Sequence, residues 1–243
     1  MKNKVILVTG AAHRVGASIV RLLHKQGFSL VLHYRQSATA AKAVADELNN
    51  IRPNTVDLLQ ADLQDATRYQ SVIKEVIDRH GRLDVLVNNA SSFYPTKIGE
   101  VTLDQWNDLM DSNLKAPFFL SQSAASYLRD TQGCIINIVD IHADRPLKEH
   151  PVYCMAKAGL VMMTKSLAKE LGPEIRVNAV APGAILWPSE IEETVKDEII
   201  SRTALKRKGA PEDIAKTVSF LINGSDYITG QVIPVDGGRS LNL

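Results

Sequence analysis

Seven short apolar runs recur along the chain, separated by longer segments of helical period. They are VILV (5–8), SLVLHY (29–34), TVDLLQ (55–60), DVLVN (84–88), IINIV (135–139), RVNAV (176–180) and QVIPV (231–235). Several are nearly continuous in Val, Leu and Ile, the pattern of strands covered on both faces. The intervening segments carry helix punctuation. Thr102 with Gln105, and Ser189 with Glu192, fit capping boxes, and Pro211-Glu212-Asp213 fits a helix first turn. Strand and helix in alternation predict an α/β fold: a doubly wound parallel sheet, the Rossmann arrangement, with helices on both faces. The 243 residues contain no linker, repeat or low-complexity tract, so residues 1–243 are expected to form a single domain.

Bulk composition narrows the partners. Apolar residues make up 45% and charged residues 23%, with 28 basic against 27 acidic side chains and no basic block, which argues against nucleic acid. No apolar run reaches the roughly 20 residues that cross a bilayer, and the apolar N-terminal run is too short for a signal peptide. Cys134 and Cys154 have no motif spacing. A cytoplasmic protein is expected, with Cys154 a buried filler rather than a reactive thiol. The histidines His13, His142 and His150 lack metal-ligand spacing, so no metal is assigned.

The ends of the runs are more unusual than the runs. The first opens into TGAAHRVG, with Gly10, Arg14, Val15 and Gly16; the second into His33-Tyr34-Arg35-Gln36-Ser37; the third into Asp62 and Leu63. The fourth opens into Asn89, Ala90, Ser91 and Phe93, the fifth into Asp140, and the sixth into Pro182-Gly183. In open parallel sheets ligands lie outside the carboxyl ends of the strands. Glycines after a strand and before a helix permit positive φ and close approach to a phosphate at the helix N-terminus. Dinucleotide sites of this kind that take NAD carry an acid at the end of the second strand. Here there is none, and Arg35, Ser37, His33 and Arg14 are available to a 2′-phosphate, so NADP (NADPH) is the expected cofactor. Tyr153 and Lys157, spaced i, i+4, share a helix face just after the strand that ends in Asp140. A neighbouring ammonium is expected to lower the tyrosine pKa.

TGAAHRVG, Asn88-Asn89-Ala90, Asn113 in DSNLKAP, YCMAK, Pro182-Gly183 and ITGQVIPVDGG together resemble the short-chain dehydrogenase/reductase family over essentially the whole chain. Most members carry serine near position 140 and a small residue at position 14. Arg14, HYRQS, NNASSFYP, Asp140 and DGGRSL are instead similar to the pteridine reductase branch. The resemblance implies a catalytic set of Asp140, Tyr153 and Lys157, with Asn113 holding a water. It implies Phe93 stacking on a pterin, Ser91 and Arg14 touching substrate and cofactor phosphates, and a homotetramer. Two places depart from the pattern: Ala184, Ile185, Leu186 and Trp187 replace the usual threonine after Pro-Gly, and Gln36 replaces a second basic residue.

A pterin is reduced at a C=N bond, so a proton must reach a ring nitrogen, and a carboxylic acid beside a tyrosine suits that step. The expected activity is NADPH-dependent reduction of a dihydropterin or dihydrofolate. The alternatives are a 3-oxoacyl or other carbonyl reductase, and a non-catalytic NADP-binding regulator. Asp140 has a competing reading as a turn cap, Phe93 as a core aromatic. The segment AILWPSEIEE (184–193) reads equally as a substrate lid or a surface helix.

Overall fold

The computed structural model describes residues 4–185, 187 and 192–242. Strands β1 (Val5–Val8), β2 (Ser29–Tyr34), β3 (Val56–Gln60), β4 (Val85–Asn88), β5 (Cys134–Ile138), β6 (Arg176–Pro182) and β7 (Val232–Val235) form one sheet in the order β3-β2-β1-β4-β5-β6-β7. Every pairing is parallel. Parallel neighbours need crossovers, and helices α1 (Arg14–Lys25), α2 (Ala38–Ile51), α3 (Tyr69–His80), α4 (Leu103–Met110), α5 (Ala116–Asp130), α6 (Pro151–Leu171), α7 (Glu193–Arg202) and α8 (Pro211–Asn223) lie along those connections. The fold is the doubly wound sheet that the alternation predicts.

Successive strand residues face opposite ways, which splits the core in two. Ile6, Val8, Leu30, Leu32, Val87 and Ile136 pack under α1, α2 and α8. Leu7, Val31, Leu59, Leu86 and Ile135 pack under α3 and α5. All four residues of β1 are buried, as a strand covered on both faces must be. Helix α1 lies beside α8, and Ser18 Oγ donates to Glu212 Oε1 (3.2 Å) while Ser219 Oγ donates to Gln26 Oε1 (2.9 Å).

The punctuation holds at two of three sites. The Thr102–Gln105 box closes both ways at α4, and Pro211 begins α8. The third does not: α7 begins at Glu193 and Glu192 makes no side-chain cap, while Ser189 lies outside the described residues. Of the proposed lid, Leu186 and 188–191 also lie outside them. Between α4 and α5 the chain makes a turn of π-helix (Asp111–Lys115), a local widening frequent at functional sites. Among the described residues no helix is long and apolar enough to cross a membrane, and no group of three or more His, Cys, Asp or Glu could hold a metal ion.

Candidate active site

The chain reverses its winding between β1 and β4, the place where an open α/β sheet leaves a crevice at its strand ends. A cleft of about 450 Å³ opens there. Its lining gathers Gly10, Arg14, Val15, His33, Tyr34, Arg35, Ser37, Asp62, Leu63, Asn89, Ala90, Ser91, Asp140, Tyr153, Lys157 and Pro182. Phe93, Asn113 and Gly183 stand outside that lining.

The first wall is the turn from β1 to α1. Gly10 has φ +61°, and a Cβ on Gly16 would sit 2.4 Å from the Gly10 carbonyl and 2.7 Å from Asn89 Nδ2. Only glycine lets α1 approach the turn this closely. Asn89 locks it: Nδ2 donates to the carbonyls of Thr9 (2.8 Å) and Gly10 (3.0 Å), and the Asn89 and Ala90 amides donate to Thr9 Oγ1. The Asn89 Nδ2 donor is thus spent on the turn. Helix α1 opens with no side-chain cap and no acid in its first turn. Its free N–H groups and positive dipole end face the cleft, a cradle suited to a pyrophosphate. Arg14 takes φ +51°, a conformation unfavourable for any residue with a Cβ.

The second wall is the end of β2, and it corrects one expectation. His33 is buried, its Nδ1 accepts from the Gly10 amide (3.2 Å), and its Nε2 donates to the Ala61 carbonyl (3.1 Å). Burial pushes its pKa down to about 4. The ring is neutral with both nitrogens engaged, so it offers no charge to a phosphate and instead supports Gly10. Arg35 remains exposed, and Ser37 stands at the N-cap of α2 with its hydroxyl unused by the helix. Asp62 Oδ1 accepts from the Gln64 amide (3.0 Å), and the Tyr69 hydroxyl donates to the Leu63 carbonyl (3.0 Å).

The third wall carries Asp140, Tyr153 and Lys157. The carboxylate at the end of β5 is fully partnered. Asp140 Oδ1 accepts from the His142 amide (2.8 Å), capping a 3₁₀ turn over Ile141–Ala143, and Oδ2 accepts from Tyr153 Oη (2.8 Å). The turn-cap reading and the reading as a tyrosine partner therefore hold together. Lys157 is buried, its Nζ donates to the Ile138 carbonyl (2.9 Å), and it lies 5.6 Å from the centre of the Tyr153 ring. Burial lowers the Lys157 pKa to about 8, with Asp140 opposing.

The expectation that Lys157 lowers the tyrosine pKa is overturned. Burial first, then the charge of Asp140 and the hydrogen bond to it, push Tyr153 well above its ordinary value. The hydrogen bond that Lys157 makes goes to the Ile138 carbonyl, and its Nζ makes none to the phenol oxygen. Tyr153 is a protonated donor.

Phe93 is 47% exposed, so it is no core residue. Its ring stacks on His150 (4.8 Å, 14° between planes) and meets Tyr153 edge-on (4.8 Å, 78°). Asn113 is fully buried on the π turn; Nδ2 donates to the carbonyls of Ser92 and Leu109, both at 2.9 Å. Its Oδ1 has no partner among the described residues, an acceptor of the kind a bound water satisfies. The Gly183 amide donates to Val235, fixing the end of β6. Cys154 is buried, its sulfur accepts from the Leu147 amide (3.3 Å), and burial raises its pKa, so it behaves as an inert filler.

Sequence reasoning missed a buried polar chain beneath these groups. Asn88 Nδ2 donates to Asn137 Oδ1 (2.8 Å) and Asn137 Nδ2 to Thr164 Oγ1 (2.9 Å), pinning α6 across β5 to β4. An asparagine inside the apolar run IINIV was the available signal.

With this geometry in view, the comparisons agree. The family model described as enoyl-(acyl carrier protein) reductase, a short-chain dehydrogenase/reductase model, matches residues 10–240. The chain belongs to the short-chain dehydrogenase/reductase family and is a nicotinamide-dependent oxidoreductase of that family. It is similar to pteridine reductase 1 of Leishmania tarentolae, 36% identical over 98% of this chain and 96% of that protein. It is similar also to the 3-oxoacyl-(acyl-carrier-protein) reductase FabG of Staphylococcus aureus, 38% identical over 97% of this chain and 98% of that protein. The FabG of Thermotoga maritima is 34% identical over 98% of both chains.

Proposed function

We propose that this protein reduces a ring C=N bond of a dihydropterin or dihydrofolate with NADPH. The observation that carries the proposal is the hydrogen bond from Tyr153 Oη to Asp140 Oδ2 at 2.8 Å, with the Phe93 ring edge-on to the same tyrosine. The chemistry a nicotinamide dinucleotide would supply here, when bound, is a hydride for the imine carbon. Gly10, Arg14, Val15, Ala90 and Ser91 would line its pyrophosphate and ribose side, and Arg35 and Ser37 would hold a 2′-phosphate. Lys157, with one donor fixed on Ile138, has two left for the ribose hydroxyls.

The ring nitrogen needs a proton. Tyr153, held protonated by burial and Asp140, donates it, and Asp140 lies at hydrogen-bond distance to relay the replacement. Asn113 Oδ1 would hold a water behind Lys157. A flat heterocycle fits the open face of Phe93, the other face being backed by His150. By the family resemblance the working unit is a cytoplasmic homotetramer of single-domain subunits.

Reduction of a 3-oxoacyl or other carbonyl substrate is the second reading, supported by similarity of equal extent to the two FabG proteins. The test follows NADPH absorbance with dihydropterins, dihydrofolate and a 3-oxoacyl thioester. The proposal expects turnover of a pterin or folate above that of the thioester; faster thioester turnover overturns it.

A further inference from the structure

The end of β6 and the end of β7 meet beside the cleft. Pro182 pairs with Val235, and a Cβ on Gly183 would lie 2.6 Å from the Asp236 Cα. The segment after β7 is therefore pressed against the sheet edge that carries the reacting groups. It is built as a rigid turn. Asp236 accepts from the amides of Gly238 (2.9 Å) and Ser240 (2.7 Å), and Gly237 and Gly238 take left-handed φ of +63° and +77°. This turn presents Arg239 as the first residue of a 3₁₀ turn (Arg239–Leu241).

Arg239 Nε is buried with no partner among the described residues. Three charged groups act on the guanidinium. Asp236, from its own turn, already accepts two backbone N–H bonds. Asp140, from the end of β5, has its oxygens on Tyr153 and the His142 amide. Arg202, from the end of α7, is a second cation, paired with Glu198 at 2.7 Å. Burial lowers the Arg239 pKa, with Asp140 and Asp236 opposing and Arg202 adding to the effect. A buried N–H without an acceptor is costly, and an anionic oxygen pair matches the forked donors of a half-buried guanidinium.

We propose that Arg239 is a substrate-binding residue that takes an anionic group the substrate carries away from its reducible bond. Resting on the reading of the cleft as a reductase site, this puts Phe93 and Tyr153 at the reducing end, and Arg239, which stands outside the cleft lining on the turn packed against Gly183, at an acidic arm. The arm is a carboxylate if the substrate is a folate, a phosphate if it is an acyl thioester of coenzyme A.

The test is steady-state kinetics of Arg239→Gln and Arg239→Lys with dihydrofolate, which bears glutamyl carboxylates, and dihydrobiopterin, which bears none. The expected result for Arg239→Gln is a fall in kcat/KM about ten-fold or more greater for dihydrofolate than for dihydrobiopterin, expressed in KM. Arg239→Lys, which keeps the charge and loses the fork, is expected to show the same selectivity at a few-fold, and it decides the matter if Arg239→Gln does not fold. Equal losses with both substrates, or none, overturn the inference. If the parent protein reduces neither pterin but reduces a 3-oxoacyl thioester, the reading of the substrate fails on its own. The variants are then compared on acetoacetyl-coenzyme A and acetoacetyl-N-acetylcysteamine, and a loss selective for the phosphate-bearing thioester supports the inference while an equal loss overturns it. Turnover of none of the four substrates by the parent overturns both.

Discussion

Asp140 is where the chemistry divides. A serine there would still donate to a carbonyl oxygen, but it would lose the carboxylate oxygen that accepts from Tyr153 and the charge that, after burial, raises the phenol's pKa. Asp140→Ser is expected to cut pterin or folate turnover about 100-fold or more while sparing the fold, read as kcat/KM beside a melting curve. A variant with undiminished pterin turnover would remove Asp140 from the mechanism. His33 gives a different kind of outcome, because its role is structural. Its pKa is about 4 in the folded protein against 6.5 when free. Between those values the unfolded chain binds the extra proton, so stability is present above pH 6.5 and is lost as pH falls towards 4. The loss is on the order of 3 kcal/mol. Thermal melts from pH 7 to 4 should show this decline, and His33→Gln should flatten it; parallel pH profiles would sink the assignment.

At the level of elements, the turn into α1 holds strain at a ligand cradle. Arg14 at φ +51° has a left-handed backbone that glycine would adopt freely. Arg14→Gly is expected to stabilise the protein by about 0.5–1 kcal/mol, about 2 °C in melting temperature, and to raise the KM for NADPH several-fold. A variant that loses stability would show that the side chain, not the cleft, dictates the conformation. The strands were legible because burial on both faces writes itself as continuous Val, Leu and Ile, and each apolar run became a strand. The cleft residues were legible because a strand end is a local event. What was not legible depends on partners distant in sequence. The support of His33 for Gly10, the Asn88–Asn137–Thr164 chain and the placing of Lys157 on Ile138 each join separate elements. The π turn holding Asn113 carries no composition of its own, and Ser189–Glu192 copied a capping spacing ahead of a helix that starts at Glu193.

For the molecule as a whole, cofactor choice is readable in stability. A ligand that binds only the folded state adds RT ln(1 + [L]/Kd), about 2.7 kcal/mol at a concentration 100 times Kd. With Arg35 and Ser37 at the end of β2 and no acid there, NADPH should raise the melting temperature by several degrees more than the same concentration of NADH. Arg35→Asp should erase that difference, and equal shifts in the parent protein would remove the NADP preference.

The pairing of α1 with α8 bears on how such a chain is made. Residues near the start of the sequence rest on residues near its end, through Ser18–Glu212 and Gln26–Ser219. A ribosome delivers β1, α1 and β2 long before α8 exists, so the part of this apolar face that α8 covers waits open through most of synthesis. A chain stopped at residue 209 would leave Ile6, Val8, Val87 and Ile136 without the Ile214, Val218 and Leu221 side chains of their core cluster. It should bind hydrophobic dyes and sediment as aggregate, whereas a monodisperse fragment would mean that α1 closes that face alone.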